Sequence, residues 1–212
     1  MNDMNDNANL NSQFAEVKAQ LSQLSEQLAQ IQIHLNQLPV LSEQVSRLQE
    51  NFLLVTDTYR YEKLRSLLAA SNWFEADKET IQLIMSITGL NDLEDLRPED
   101  IRRFPCNDLQ VIDRLWTSYS SDRFGFSIQL RAYQDVGGTL ETTIEQNTKL
   151  VERWGEKLGW RESNRWRKCD ELDYSLNAPL GCHPSRWWNS PYGSKMTNYF
   201  LSRLISCQLG TA

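Results

Sequence analysis

Catalysis by a protein side chain needs an acid, a base or a nucleophile brought together with a partner, and this chain of 212 residues holds only two histidines, His34 and His183. They are separated by most of its length, and no GxSxG, HExxH, P-loop or GxGxxG pattern accompanies them. The four cysteines, Cys106, Cys169, Cys182 and Cys207, form no CxxC or zinc-like spacing, so free thiols are expected and no metal site. Asp77, Glu79, Asp108 and Asp113 fall at helix starts or helical positions, where capping and surface pairing account for a carboxylate. The chain is therefore not expected to be an enzyme. Binding is better served. Of seven tryptophans, Trp166, Trp187 and Trp188 fall with Tyr174, Tyr192 and Tyr199 among Arg165, Arg167, Arg186 and Lys195. Rings supply flat apolar area and cations pair with rim charges, which suits a flat apolar ligand carrying carboxylates. The competing reading places Trp160, Trp166 and Trp187 in the core and leaves Trp188 partly buried at the surface.

Charge narrows the partners. The chain carries −6 overall, and residues 1–57 hold seven acidic against two basic side chains. Residues 161–212 hold seven basic against four acidic ones. That excess suits a small anion, and falls short of the basic stripe by which a nucleic-acid domain is recognised. The first residues are rich in Asn and Asp, without the basic and apolar segments of a secretory or transit signal. No apolar run approaches the length of a membrane span, so a cytoplasmic protein is expected, with peripheral membrane contact left open.

The positioning elements read as helices. From Leu10, apolar residues fall at Phe14, Val17, Leu21, Leu24, Leu28, Ile31, Leu35 and Leu38, alternating steps of three and four. That 3.5-residue period marks a coiled-coil seam over residues 10–57 and predicts self-association, with a break near Pro39 where the spacing slips and a backbone donor is lost. Residues 1–9 are expected to be disordered, and 58–212 to form the folded domain. Within it Tyr61, Leu64, Leu67 and Leu68 make one helical stripe, and Asn72 with Glu75 starts a second helix. Gly89, Pro98 and Pro105 predict short turns in a long connection over residues 88–105. Asn107 with Gln110 resembles a cap for the next helix. Phe124, Phe126, Ile128 and Leu130 alternate like a strand yet also fit a helix, so periodicity does not decide there. A helix through Leu140, Ile144, Val151, Trp154 and Leu158, then a long loop over residues 169–198, complete the chain.

The segment FPCNDLQVIDRLWTSYSSDRFGFSIQ, residues 104–129, is more specific than these patterns. With Tyr61, Leu64-Arg65, Trp73 and Ala76-Asp77 before it, and Leu158-Gly159-Trp160, Trp166 and Asn177-Ala178-Pro179 after it, the chain resembles the genomes-uncoupled-four family of tetrapyrrole-binding regulators. The resemblance implies an all-α domain, and so a helix at residues 124–130. It implies a non-catalytic regulator that binds protoporphyrin IX or Mg-protoporphyrin IX between two long loops and stimulates magnesium chelatase in chlorophyll synthesis. Carried to this sequence, the loops are residues 90–104 and 168–196. Leu93, Leu96, Phe104, Tyr174, Leu180, Trp187, Trp188 and Tyr192 would cover the ring, and Arg186 and Lys195 would meet its propionates. His183 would sit beside the pigment as an axial ligand, and Cys182 next to it suggests covalent bilin attachment, against the commoner reading of an inert thiol. The stretch GCHPSRWWNSPYGSKM departs from the family's closely spaced arginines. A scaffold protein whose coil carries the function, with a helical domain that takes a bilin or no pigment, is the alternative.

Overall fold

The structure is a computed structural model that describes residues 16, 18, 20–41, 44–45, 59–188 and 190–210. The chain divides into two units, Met1–Thr56 and Asp57–Ala212. In the first, residues 20–41 are helical throughout. The helix passes Pro39 as far as residue 41, and residues 42–43 lie outside the described residues. Proline removes one hydrogen bond and displaces one carbonyl, and a helix continues on either side of such a lesion. The seam residues Leu21, Leu24, Leu28, Ile31, Leu35 and Leu38 are all more than half exposed. The expected disorder of residues 1–9 lies outside the described residues, as do residues 10–15, 17, 19, 42–43 and 46–57 of the expected coil.

The second unit is built of helices α1 (Glu62–Ala69), α2 (Trp73–Thr88), α3 (Pro98–Arg102), α4 (Cys106–Ser120), α5 (Phe126–Asp135), α6 (Leu140–Ile144), α7 (Thr148–Lys157) and α8 (Ser194–Ser206). One antiparallel hairpin, β1 (Arg161–Glu162) with β2 (Arg165–Trp166), is the sheet among the described residues. Asn72 caps α2 through the amide of Glu75, as the sequence predicts. The 88–105 connection holds a 3-10 turn at Leu93–Asp95 and α3, and the 168–193 loop holds two more 3-10 turns, Cys169–Glu171 and Arg186–Trp188.

Three local expectations are corrected. Helix α4 starts at Cys106 with Pro105 at the cap, so Asn107 lies inside its first turn. The single helix expected from Leu140 to Leu158 is two: Gln146 takes a positive φ of 53°, and the Asn147 side chain accepts from the Leu150 amide to start α7 afresh. The thiols of Cys106 and Cys207 are joined as a disulfide, whereas Cys169 and Cys182 are free and buried. Residues 126–135 are helical, as the family resemblance implies. Their alternation misleads because Phe126, Ser127, Ile128, Gln129 and Leu130 are all buried, so the first half of the helix shows no polar stripe, which begins only at the exposed Arg131, Gln134 and Asp135.

The core is aromatic. Trp187 stacks on Phe200 at 3.9 Å, Trp154 meets Trp160 edge-on at 5.0 Å, and Trp73, Trp116 and Phe124 form a second cluster. The polar ends of the buried indoles are satisfied: Trp116 donates to Thr80 Oγ1, Trp154 to the Gln129 carbonyl and Trp160 to the Cys182 carbonyl. Helix α3 packs along α8, which brings the 90–104 segment beside the end of the 168–193 loop.

Candidate ligand-binding site

The long 168–193 loop is held from α2 by one carboxylate. Asp77 is fully buried and accepts from the Ser185 amide at 2.7 Å, the Ser185 hydroxyl at 2.6 Å, the Arg186 amide at 3.2 Å and the Tyr174 hydroxyl at 2.9 Å. The sequence reading of Asp77 as a cap or surface pair is thereby corrected: it anchors a loop more than a hundred residues downstream. The 104–129 signature grips the same loop. Gly125 donates to the His183 carbonyl at 2.9 Å, Arg123 reaches the Ala178 carbonyl at 2.9 Å, and Gln129 donates to the Pro184 carbonyl at 2.8 Å. Gly125 sits at φ 141°, where a Cβ would lie 2.7 Å from Asp113 Oδ1, so no other residue fits that grip.

These contacts remove several expected ligand residues from reach. His183 is fully buried, with Nε2 2.8 Å from the Asp173 carbonyl oxygen and its ring stacked on Tyr174 at 4.3 Å. Burial pushes its pKa down, and it is a core residue, closed to any axial position. Cys182 is buried too, and desolvation pushes its thiol up to about 12, as it does that of Cys169. Neither supplies the exposed thiolate that covalent bilin attachment needs. Leu96, Phe104 and Trp187 are core, and Arg203 Nε donates to the Phe104 carbonyl at 2.8 Å. The Tyr174 hydroxyl is committed to Asp77, and the Arg186 guanidinium to Asp170 and the face of Phe74, 5.0 Å from its centroid. Leu93 is half-buried against the core. Leu180 is exposed, and lines a separate cavity of about 320 Å³ with Ile128, Arg131 and Lys157.

Trp188 remains, and it defines a site. A cavity of about 350 Å³ opens between α7, the hairpin, the end of the loop and the start of α8, lined by Val151, Trp166, Trp188, Ser190, Ser194 and Thr197, with Thr148, Glu152 and Gly193 completing the wall. Trp188 stacks on Trp160 at 5.5 Å and 17° and lies 5.3 Å from Trp166, which makes one wall a continuous indole surface. Gly155 makes this possible: a Cβ there would lie 2.5 Å from the Trp166 ring, so α7 lets the indole approach its backbone. The Trp188 Nε1–H is buried without a hydrogen-bond partner among the described residues, a donor free for a ligand. Tyr192 and Lys195 are both exposed and next to Gly193 and Ser194 in the chain without lining the cavity, and Lys195 Nζ stands 3.8 Å from Glu99 on the first loop and 5.7 Å from the Tyr199 ring centroid. Glu152 is held 3.5 Å from Arg161.

Of the eleven residues the sequence singles out, Trp188 alone lines this cavity. Val151, Thr148, Ser190, Ser194 and Thr197 carry no sequence signal. Trp166 does, since it belongs to the same aromatic and basic cluster as Trp188. Among the described residues no group of three or more His, Cys, Asp or Glu side chains is placed to hold a metal ion. No helix among them is long and apolar enough to cross a membrane.

Comparison with known proteins accords with this architecture. The ligand-free structure of Arabidopsis thaliana GUN4 matches with a TM-score of 0.52 at 25% identity, over 67% of this chain and 94% of that one. The uncharacterized protein ycf53 of Porphyra purpurea is 32% identical over 128 residues, 58% of this chain and 49% of its own. A chloroplastic tetrapyrrole-binding protein of Arabidopsis thaliana is 30% identical over 86 residues, 36% of this chain and 29% of its own. The chain spans about half the length, or less, of these curated relatives. The GUN4-like family model matches residues 55–202, and with most of the second unit so covered the chain belongs to the GUN4-like family.

Proposed function

We propose that the protein is a non-catalytic, tetrapyrrole-binding regulator that takes its ligand against the Trp166–Trp188 wall. The observation that carries the reading is that wall itself: two indoles side by side in a cavity of about 350 Å³, with the buried Trp188 Nε1–H unpartnered among the described residues. Pockets for small ligands run from about 300 to 1,000 Å³ and combine apolar rings with a few convergent polar groups. A flat macrocycle would lie on the indoles, with a carboxylate accepting from Trp188 Nε1 and another extending out of the cavity toward the exposed Lys195. The name of the Arabidopsis relative supports the ligand class. The family resemblance supports protoporphyrin IX or Mg-protoporphyrin IX as the tetrapyrrole and magnesium chelatase as the partner it stimulates. A bilin would use the same wall without a covalent bond, because Cys182 is buried.

Titration with protoporphyrin IX and with Mg-protoporphyrin IX, followed by tryptophan quenching and the pigment absorption band, tests the reading. Saturable binding is expected, weakened on the order of tenfold in Trp188→Ala and only a few-fold in Lys195→Ala, whose exposed charge is screened by solvent. Absence of saturable binding of either pigment would remove the reading. A second reading rests on a separate observation, the more than half-exposed apolar seam of residues 20–41: the helix self-associates, and the folded unit is carried on an oligomer. The two are compatible.

A further inference from the structure

The opposite side of α8 carries a smaller cavity, of about 220 Å³, lined by Arg102, Thr143, Ile144, Gln146, Asn198, Tyr199 and Ser202. Two of its groups are unspent. Asn198 is 1% exposed; its Nδ2 donates to the Ser194 carbonyl at 2.8 Å, which fixes the amide, and its Oδ1 is a buried acceptor with no donor. Arg102, on the last turn of α3, has no ion pair or hydrogen bond among the described residues. A buried acceptor left unpaired costs about 1–3 kcal/mol, so an orphan in a polar, open cavity marks a place where something else donates. No carboxylate lines the cavity, so the one charge there is Arg102's and asks for an anion. The Tyr199 and Ser202 side chains add polar groups to the lining, and Ile144, 72% exposed, adds an apolar one.

We propose that this cavity is a second binding site, for a small carboxylate bearing an O–H or N–H donor on the neighbouring carbon: the carboxylate pairs with Arg102 and the donor satisfies Asn198 Oδ1. At about 30 Å³ per water the space equals roughly seven waters, which admits a small hydroxy- or amino-acid and excludes a macrocycle. The site stands whether or not the larger cleft takes a tetrapyrrole, since no lining residue is shared.

Calorimetric titration of the full chain with glycolate, glycine and acetate decides it. Saturable binding of glycolate or glycine is expected, at least tenfold tighter than acetate, which lacks the donor; a site built to hydrogen-bond a group discriminates strongly against its absence. The better of the two tells a hydroxy-acid from an amino-acid site. Arg102→Ala, an exposed change that leaves the fold intact by circular dichroism, should weaken both by tenfold or more. Asn198→Leu should abolish the preference over acetate. If none of the three binds, the cavity holds water only and the proposal fails. It fails equally if Arg102→Ala binds like the parent protein, or if acetate matches the donors.

Discussion

Asp77→Ala is the most informative single change. The carboxylate is fully buried and takes four donors from the 168–193 loop, two of them backbone amides, of Ser185 and Arg186. The Ser185 and Tyr174 hydroxyls can rotate toward each other, 3.5 Å apart, when the acceptor goes. The amides cannot turn, and each stranded N–H costs about 1–3 kcal/mol. A loss of roughly 4 kcal/mol follows, and for a folded unit of this size each kcal/mol moves Tm by about 2–4 °C. Asp77→Asn keeps one acceptor oxygen for the amides and should lose about half as much. Urea unfolding followed by far-UV circular dichroism and by tryptophan emission measures both. Because the loop carries Trp188, the alanine variant should also bind tetrapyrrole more weakly under conditions where it remains folded. An alanine variant within about 0.5 kcal/mol of the parent would refute the claim that Asp77 anchors the loop.

Other outcomes follow from the same contacts. The Cys106–Cys207 bond closes a loop with a sequence separation of 101, so reduction, or Cys106→Ser with Cys207→Ser, should lower stability by about 2–4 kcal/mol; an unchanged unfolding midpoint in dithiothreitol would contradict it. Native protein should leave Cys169 and Cys182 unlabelled by iodoacetamide, since burial pushes both thiols up to about 12; rapid alkylation of either would show the loop to be open. Burial holds the His183 pKa below its ordinary 6.5, so below pH 6.5 the unfolded chain takes up a proton that the native state refuses. Its contribution is therefore whole above pH 6.5 and is lost as pH falls toward the folded value, by at most about 1.4 kcal/mol per pH unit. Unfolding between pH 7 and 5.5 should show that slope and His183→Gln should flatten it, whereas a flat parent curve would count against a buried neutral imidazole. A chain lacking residues 1–57 should lose self-association in sedimentation, and an oligomeric truncated chain would dismiss the seam.

What the sequence discloses, and what it withholds, divides along physical lines. Local chemistry is legible: the Asn72 cap and the turn-rich 88–105 connection need only near neighbours. The start of helix α5 is not legible from its own pattern, because residues 126–130 are all buried and show no stripe for periodicity to detect; only the family resemblance places it. Asp77 is unreadable for a different reason. Its donors lie 97 to 109 residues away, and nothing in WFEADKET distinguishes a buried anchor from a surface acid. The same distance hides the disulfide, whose partners show no spacing rule.

The binding wall combines both cases. The aromatic and basic composition of residues 166–199 points to a ligand surface, and of its residues Trp166, Trp188, Ser190, Gly193, Ser194 and Thr197 line one cavity. Composition alone cannot say which aromatic residues the core will claim. Trp187 and Trp188 are adjacent in the chain and identical in type, yet Trp187 is 2% exposed and stacks on Phe200, while Trp188 faces the cavity with its Nε1–H free of a partner. The 3-10 turn at Arg186–Trp188 sorts them, and that turn is set by the Ser185 and Arg186 amides on Asp77. Which of the two indoles faces the cavity is therefore tied to a carboxylate on α2. It also means that the anchor and the wall form one unit: a change that frees the loop from Asp77 should exchange the environments of the two tryptophans before it unfolds the helices around them.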